Sequence, residues 1–341
     1  MADSLQKLLE LTKPLMNQCD QIQGPGGNTS YKDGHGNMFI KASGFRFDEM
    51  SEHKGISAVN YLNLRNYFRL VKPTSKEKDE ADMLNLVGQS ILKQSSGELF
   101  PKPSMETGFH AVLGKYVIHT HSVWTNLVNC RKDKSAIIKQ LSETFNLVQI
   151  PFVSPGFGLS YMVSQSVIGA EMNGMQTPDL FLLHNHGVIA HADDLQKCQN
   201  LLKSLDRAIQ SICQLSDEYP DTSLNVIDTN FVPVSGYVNS ILKLHHCDVA
   251  FFNQVLFPDQ TVFFKDQIGS KGSDKKIHID NFNISYHCSE RDARAIHETM
   301  TAYLFIYNTL KTSNIEIDFL SGNEIDYINN MEMEKHRKSI Q

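Results

Sequence analysis

Apolar positions recur at helical spacing over residues 4–19, where Leu5, Leu8, Leu9, Leu11, Leu15 and Met16 share a face, and the pattern predicts an amphipathic helix kinked at Pro14. The same period predicts helices over residues 56–70, 80–93, 106–113, 122–129 and 159–172. Ser104, after Pro101-Lys102-Pro103, reads as the N-cap of the helix over 106–113. A long helix is expected to about Leu215, opened by Asp193 and Gln196 as a capping pair, with Leu195, Cys198, Leu201, Leu202, Leu205, Ala208 and Ile212 inward. Shorter apolar runs over 37–41, 116–121 and 179–183 read as strands. The only tryptophan, Trp124, reads as core.

The composition turns polar over residues 217–225, which predicts a boundary: residues 1–215 as one domain and 216–341 as a C-terminal α+β extension of unknown role. Beyond it, residues 249–252, 261–264 and 276–279 look β-like. A helix capped by Ser289 is expected to run to Leu310, with Ala293, Ile296, Met300, Leu304 and Tyr307 on one stripe.

Charge changes this picture little. Against 38 acidic residues stand 32 basic ones, a net charge of −6 with no block of one sign, so nucleic acid is not an expected partner. No stretch approaches a membrane span and the N-terminus lacks a secretory pattern, so no membrane partner and a cytoplasmic location are expected. The six cysteines have no framework spacing and read as reduced, mostly buried thiols.

Candidate chemistry begins at His119-Thr120-His121. Side chains of a strand alternate faces, so the two imidazoles point the same way about 7 Å apart and suit one zinc ion. Two further stretches offer partners: Ser104-Met105-Glu106 with His110, and His184-Asn185-His186-Gly187. Taken alone, Glu106 reads as a first-turn carboxylate on a helix dipole. Gly24-Pro25-Gly26-Gly27-Asn28-Thr29-Ser30 lacks the pattern of a P-loop or a dinucleotide fold and reads as a tight turn. Ser43-Gly44 makes a small anion nest. The pairs His245-His246-Cys247 and His287-Cys288 fit no structural zinc spacing.

Taken in order, Gly26-Gly27-Asn28-Thr29-Ser30, Ser43-Gly44, Ser104-x-Glu106-x-x-x-His110, His119-x-His121 and Asn185-His186-Gly187 resemble the class II aldolase/adducin family. The 13-residue step from Glu106 to His119 is shorter than in its fuculose-phosphate aldolases and closer to the long branch resembling rhamnulose-phosphate aldolase domains. The resemblance implies an α/β/α sandwich with a central, mainly antiparallel sheet, and a homotetramer. It implies one Zn²⁺ per chain on His119, His121 and His186, with His184 left to packing or support. Glu106 then moves the proton, and Asn28, Ser43, Gly44 and Ser104 hold a phosphate. The implied activity is retro-aldol cleavage, or aldol formation, of a ketose phosphate through a metal-stabilised enediolate. A dehydratase, decarboxylase or epimerase on the same fold, or a non-catalytic adducin-like interaction protein, are the alternatives. Two departures stand out: Met105 replaces a serine of the phosphate-binding members, and Phe152 stands where some members carry a proton-donating tyrosine, which leaves the donor unidentified.

Overall fold

The computed structural model describes residues 1–215 and 218–330. Helix α1 (Ala2–Thr12) runs into a 3-10 turn, Lys13–Leu15, that holds Pro14 near its start, where a missing N–H costs nothing. Strands β1 (Asn28–Lys32) and β2 (Asn37–Lys41) form a hairpin. Next come β3 (Ile56–Asn60) and α2 (Tyr61–Leu70), which corrects the single helix expected over 56–70. Five alternating residues do not by themselves tell strand from helix. Here they pair antiparallel with β2, and Asn60 caps α2 by accepting from Leu62 N.

Helix α3 (Lys76–Ser90) starts ahead of the expected residue 80 and ends before 93, with Ser75 as its cap. Glu106, not Ser104, occupies the N-cap position of α4 (Thr107–Val112), and Ser104 Oγ instead accepts from Glu106 N at 3.3 Å. Strand β4 (Tyr116–Thr120) leads through the Ser122 cap into α5 (Val123–Asn129). The chain continues through α6 (Ser135–Ser142), β5 (Leu147–Ile150), α7 (Phe157–Met172), β6 (Leu180–Leu183) and β7 (Gly187–Ala192). Helix α8 (Leu195–Ile212) is capped by Asp194, which accepts from Lys197 N at 2.7 Å, so the cap lies one residue beyond the Asp193 expected.

Seven strands form one sheet in the order β3-β2-β1-β4-β7-β6-β5, antiparallel except for the β5–β6 pair. Helices cover both faces. Leu8 and Leu11 of α1 and Leu205 and Ile209 of α8 bury completely with Ile118 beneath one face, each contributing about 1.5–3 kcal/mol. On the other face Val117 packs with Phe109 of α4 and Val163 of α7, while α2 and α3 add Leu64, Phe68 and Met83. This is an α/β/α sandwich.

The expected boundary falls at Ser216 and Asp217, which lie outside the described residues, as do residues 331–341 of the proposed extension. Beyond the boundary stand β8 (Leu224–Ile227), β9 (Asn230–Pro233), α9 (Tyr237–Leu244), α10 (Pro258–Phe263) and β10 (Ile268–Gly269). They are followed by β11 (Ile277–Asp280), β12 (Asn283–Tyr286), α11 (Glu290–Thr312) and α12 (Gly322–Asn330). The strands make a second sheet, β10-β11-β12-β9-β8. Residues 249–252 and 261–264 are not strands: the first lies in a 3-10 helix, Val249–Asn253, and the second runs through the end of α10. Their phenylalanines look strand-like locally, yet Phe251, Phe252 and Phe264 gather around Tyr303 of α11.

The C-terminal core takes in Val123, Trp124 and Leu127 of α5 and Cys130 just after it, so the two sheets are joined through that helix. Trp124 meets Phe305 edge-on and donates from Nε1 to Asp20 at 2.9 Å. Among the described residues no helix is long and apolar enough to cross a membrane, and all six cysteines are free.

Candidate active site

Register brings the site to one end of the sheet. In β4 the alternation that sends Tyr116 and Ile118 toward α1 and α8 sends Val117 and His119 toward α4, and His121 follows on the same side. Asn28 pairs with His119 on the strand to one side, and Ile189 of β7 pairs with it on the other. His186 immediately precedes β7. Asn185 takes the left-handed conformation, φ 50°, and its amide donates to Leu256 O and Asp318 O at 2.8 and 2.7 Å. A side chain at Gly187 would run into Thr120 O, so glycine lets this turn close against β4.

His119, His121 and His186 form a buried triangle with ring centroids 4.9 to 5.0 Å apart. His119 Nδ1 donates to Val188 O at 3.0 Å, and His121 Nδ1 donates to Asp259 Oδ2 at 2.6 Å. Both donations turn Nε2 inward, and the two Nε2 atoms lie 3.2 Å apart. Two imidazole lone pairs at that distance repel unless a cation lies between them, and the spacing suits ligands about 2.0–2.1 Å from one zinc ion. Burial pushes His119 down and takes His186 down to about 3, which keeps both imidazoles in the neutral, metal-ligating form at neutral pH. The donor set therefore fits zinc. Among the described residues this is the one cluster of three potential ligands.

Glu106 faces the triangle. Its Oε2 lies 3.5 Å from His119 Nε2 and its Oε1 lies 3.6 Å from His186 Nε2. Oε1 is buried without a hydrogen-bond partner. Burial pushes the carboxyl up, but electrostatic attraction to the His119, His186 and His121 rings and a hydrogen bond from Asn28 outweigh it and hold it below its ordinary value. Asn28 Nδ2 donates to Glu106 Oε2 at 2.7 Å and to Ser104 Oγ at 3.1 Å. Since the carboxylate takes only donors, Asn28 Oδ1 turns toward His110 Nε2, which carries the proton. His110 Nδ1 then accepts from Ser30 Oγ at 2.7 Å. Burial holds His110 well below its usual range, so this relay is neutral and fixes Asn28.

A cleft lies over this cluster, lined by Asn28, Ser43, Gly44, Ser104, Glu106, His121 and His186. The expected site residues thus meet in one place, with His119 beneath them. The Ser43 amide is taken by Lys102 O at 2.9 Å. His184 Nε2 instead meets Asp318 at 3.0 Å, away from the triangle. Phe152 packs toward Val255, Leu320 and Ile325, and none of the described residues lining the cleft is a tyrosine.

Two residues in the lining had no signal in the sequence. Lys41 is buried at the cleft, donating to Pro25 O and Phe45 O at 2.9 and 2.7 Å, and joins the glycine loop to the Ser43 turn. The sequence offers it only as the last residue of a strand. Asp259 comes from α10, and no spacing ties it to a histidine 138 residues earlier. The C-terminal part also grips both loops. Glu298 accepts from Gly24 N at 2.7 Å and pairs with Arg46, and Arg291 donates to Gly44 O at 2.6 Å.

The sequence pattern of the family described as Class II Aldolase and Adducin N-terminal domain matches residues 6–213. An uncharacterized oxidoreductase, YuxG, of Bacillus subtilis is 27% identical over 209 residues, 59% of this chain and 27% of that protein. A 3-oxo-tetronate 4-phosphate decarboxylase of Escherichia coli is 27% identical over 129 residues, 34% of this chain and 58% of that enzyme. The match thus spans less than two thirds of either relative. Among solved structures, the N-terminal class II aldolase domain of a conserved protein from Thermoplasma acidophilum is 22% identical, covering 60% of this chain and 92% of that one with a TM-score of 0.48. An L-fuculose 1-phosphate aldolase from Glaciozyma antarctica is 11% identical, covering 91% of each chain with a TM-score of 0.37.

Proposed function

The chain belongs to the class II aldolase and adducin family, and from that premise we propose that it is a zinc-dependent lyase that breaks, or forms, a carbon–carbon bond beside the carbonyl of a sugar phosphate. The observation that carries this reading is the gathering of one ligand nitrogen from each of His119, His121 and His186 within 4.8 Å of one another, with the unpartnered Glu106 Oε1 beside them.

His119, His121 and His186 would hold the ion. Zinc held there would supply a Lewis acid for the negative charge that gathers on the carbonyl oxygen as the bond breaks. Glu106 moves the proton: one oxygen is fixed by Asn28 and the other, beside His186, has no donor and can accept. Ser43, Gly44, Ser104 and Lys41, which line the same cleft, hold the phosphate, with Lys41 as the cation, and so place the reacting carbon. Ser104 Oγ already accepts from Asn28 and Glu106 N, which leaves its own proton to donate.

The test is zinc content followed by a panel of ketose phosphates. About one zinc per chain, lost in His186→Ala, with aldehyde release that disappears in Glu106→Gln while zinc stays, supports the reading. A chain that takes up no zinc sinks it and leaves a non-catalytic interaction protein.

Decarboxylation of a 3-oxo sugar acid phosphate is a second reading, favoured by the single unpartnered carboxylate oxygen and a lining without tyrosine among the described residues. Loss of carbon dioxide needs no hydroxyl proton removed, only one proton returned to carbon. Release of carbon dioxide rather than an aldehyde separates the two.

A further inference from the structure

The segment beyond the family match faces the metal-ligand cluster directly. Asp259, second residue of α10, is buried, and its Oδ2 takes the Nδ1 proton of His121 at 2.6 Å. His119 has the same kind of partner in Val188 O, a carbonyl of the sandwich itself. A Cβ on Gly26 would lie 2.8 Å from Asp259 Oδ2 and 3.0 Å from His121 Nδ1, so the bare backbone of the glycine loop covers that hydrogen bond.

Building on the zinc-site reading above, we propose that Asp259 is the positioning residue of the metal centre, so that a complete centre requires both parts of the chain. A charged acceptor on Nδ1 fixes the imidazole tautomer, aims Nε2 at the triangle and raises the basicity of the ligating nitrogen. Two further ties hold α10 against the triangle. Asn185, whose left-handed turn presents His186, donates to Leu256 O, three residues before Asp259. Gln260 closes the loop ahead of α10, accepting from Leu256 N at 2.9 Å and donating to Gln254 O at 2.8 Å. Displacing α10 therefore disturbs two of the three ligands at once.

The experiment measures zinc affinity of the full chain by competition with a chromogenic chelator, for the native protein, Asp259→Asn, Asp259→Ala and Arg291→Met. The last variant loosens the grip of α11 on the Gly44 turn without touching a ligand. The expected result is a 10- to 100-fold loss of affinity in Asp259→Ala. A smaller loss is expected in Asp259→Asn, whose amide oxygen still accepts from Nδ1. Arg291→Met should bind as the native protein does. The visible spectrum of the cobalt-substituted protein should shift in the Asp259 variants alone. If Asp259→Ala fails to fold, Asp259→Asn decides by its affinity and spectrum. Native affinity in the Asp259 variants, or an equal loss in Arg291→Met, overturns the inference and leaves the zinc-site reading standing. A native chain that binds no zinc overturns both.

Discussion

Asn28 and Glu106, 78 residues apart in sequence, meet side chain to side chain, with Asn28 Nδ2 2.7 Å from Glu106 Oε2. The contact exists because β1 pairs with β4 in a register that sets Asn28 across from His119. The other carboxylate oxygen is buried without a hydrogen-bond partner, 3.6 Å from His186 Nε2.

Removing that amide should misplace the carboxylate proposed as the base without emptying the site. Asn28→Ala is expected to lower kcat about 100-fold, with zinc content unchanged. The paired measurement is turnover against metal per chain, and loss of zinc in step with activity would contradict it.

Arg46 and Glu298 form an ion pair between the sandwich and α11, 2.7 Å apart, with side chains 9% and 4% exposed. Glu298→Ala takes the bidentate partner from the buried Arg46 guanidinium, leaving it Asp48 at 3.3 Å from Nε, and also frees Gly24 N. The expected cost is about 3–5 kcal/mol, read as a lowered urea midpoint. A loss below about 1 kcal/mol would show that the pair is no more than a surface contact.

Asp206 is buried beneath α5, accepting from Gln21 Nε2 at 2.8 Å and Ser122 Oγ at 3.0 Å. Burial pushes its carboxyl up from 3.8 to about 7. A folded-state pKa above the unfolded one gives stability that is full below about pH 4 and falls away as pH rises through 7. Asp206→Asn removes the charge, so its melting temperature should exceed the native value at pH 8.5 and match it more closely at pH 5. An equal offset at both pH values would rule out titration as the cause.

Gly187 sits where β7 closes against Thr120 O. Gly187→Ala should push the start of β7 outward and carry His186 with it. Zinc affinity should fall at least 10-fold, comparable with the loss of an outer partner of a ligand, while circular dichroism retains the sheet signal. Native zinc affinity would show that the turn has slack.

The sequence carried what neighbours along the chain decide. Two histidines one residue apart in a strand share a face whatever surrounds them, and the inward stripe of α8 and the Ser289 cap of α11 follow from helical period and capping chemistry. Residues 56–60 were not legible in the same way. They are too short for a period to show, and the open edge of β2 made them a strand. Residues 261–264 failed for a related reason: their phenylalanines suit a strand, and packing around Tyr303 placed them in and after α10.

By itself, then, the sequence determined the layered class of the fold, the order of its motifs and the shared direction of His119 and His121. Only the tertiary structure decided that Lys41 lies in the cleft, that Asn28 holds Glu106 and that Asp259 completes the surroundings of His121. The physical reason is the range of the forces involved. Period and capping act within a turn or two of chain, whereas a hydrogen bond between residues 121 and 259 exists only once two separate cores have packed around α5.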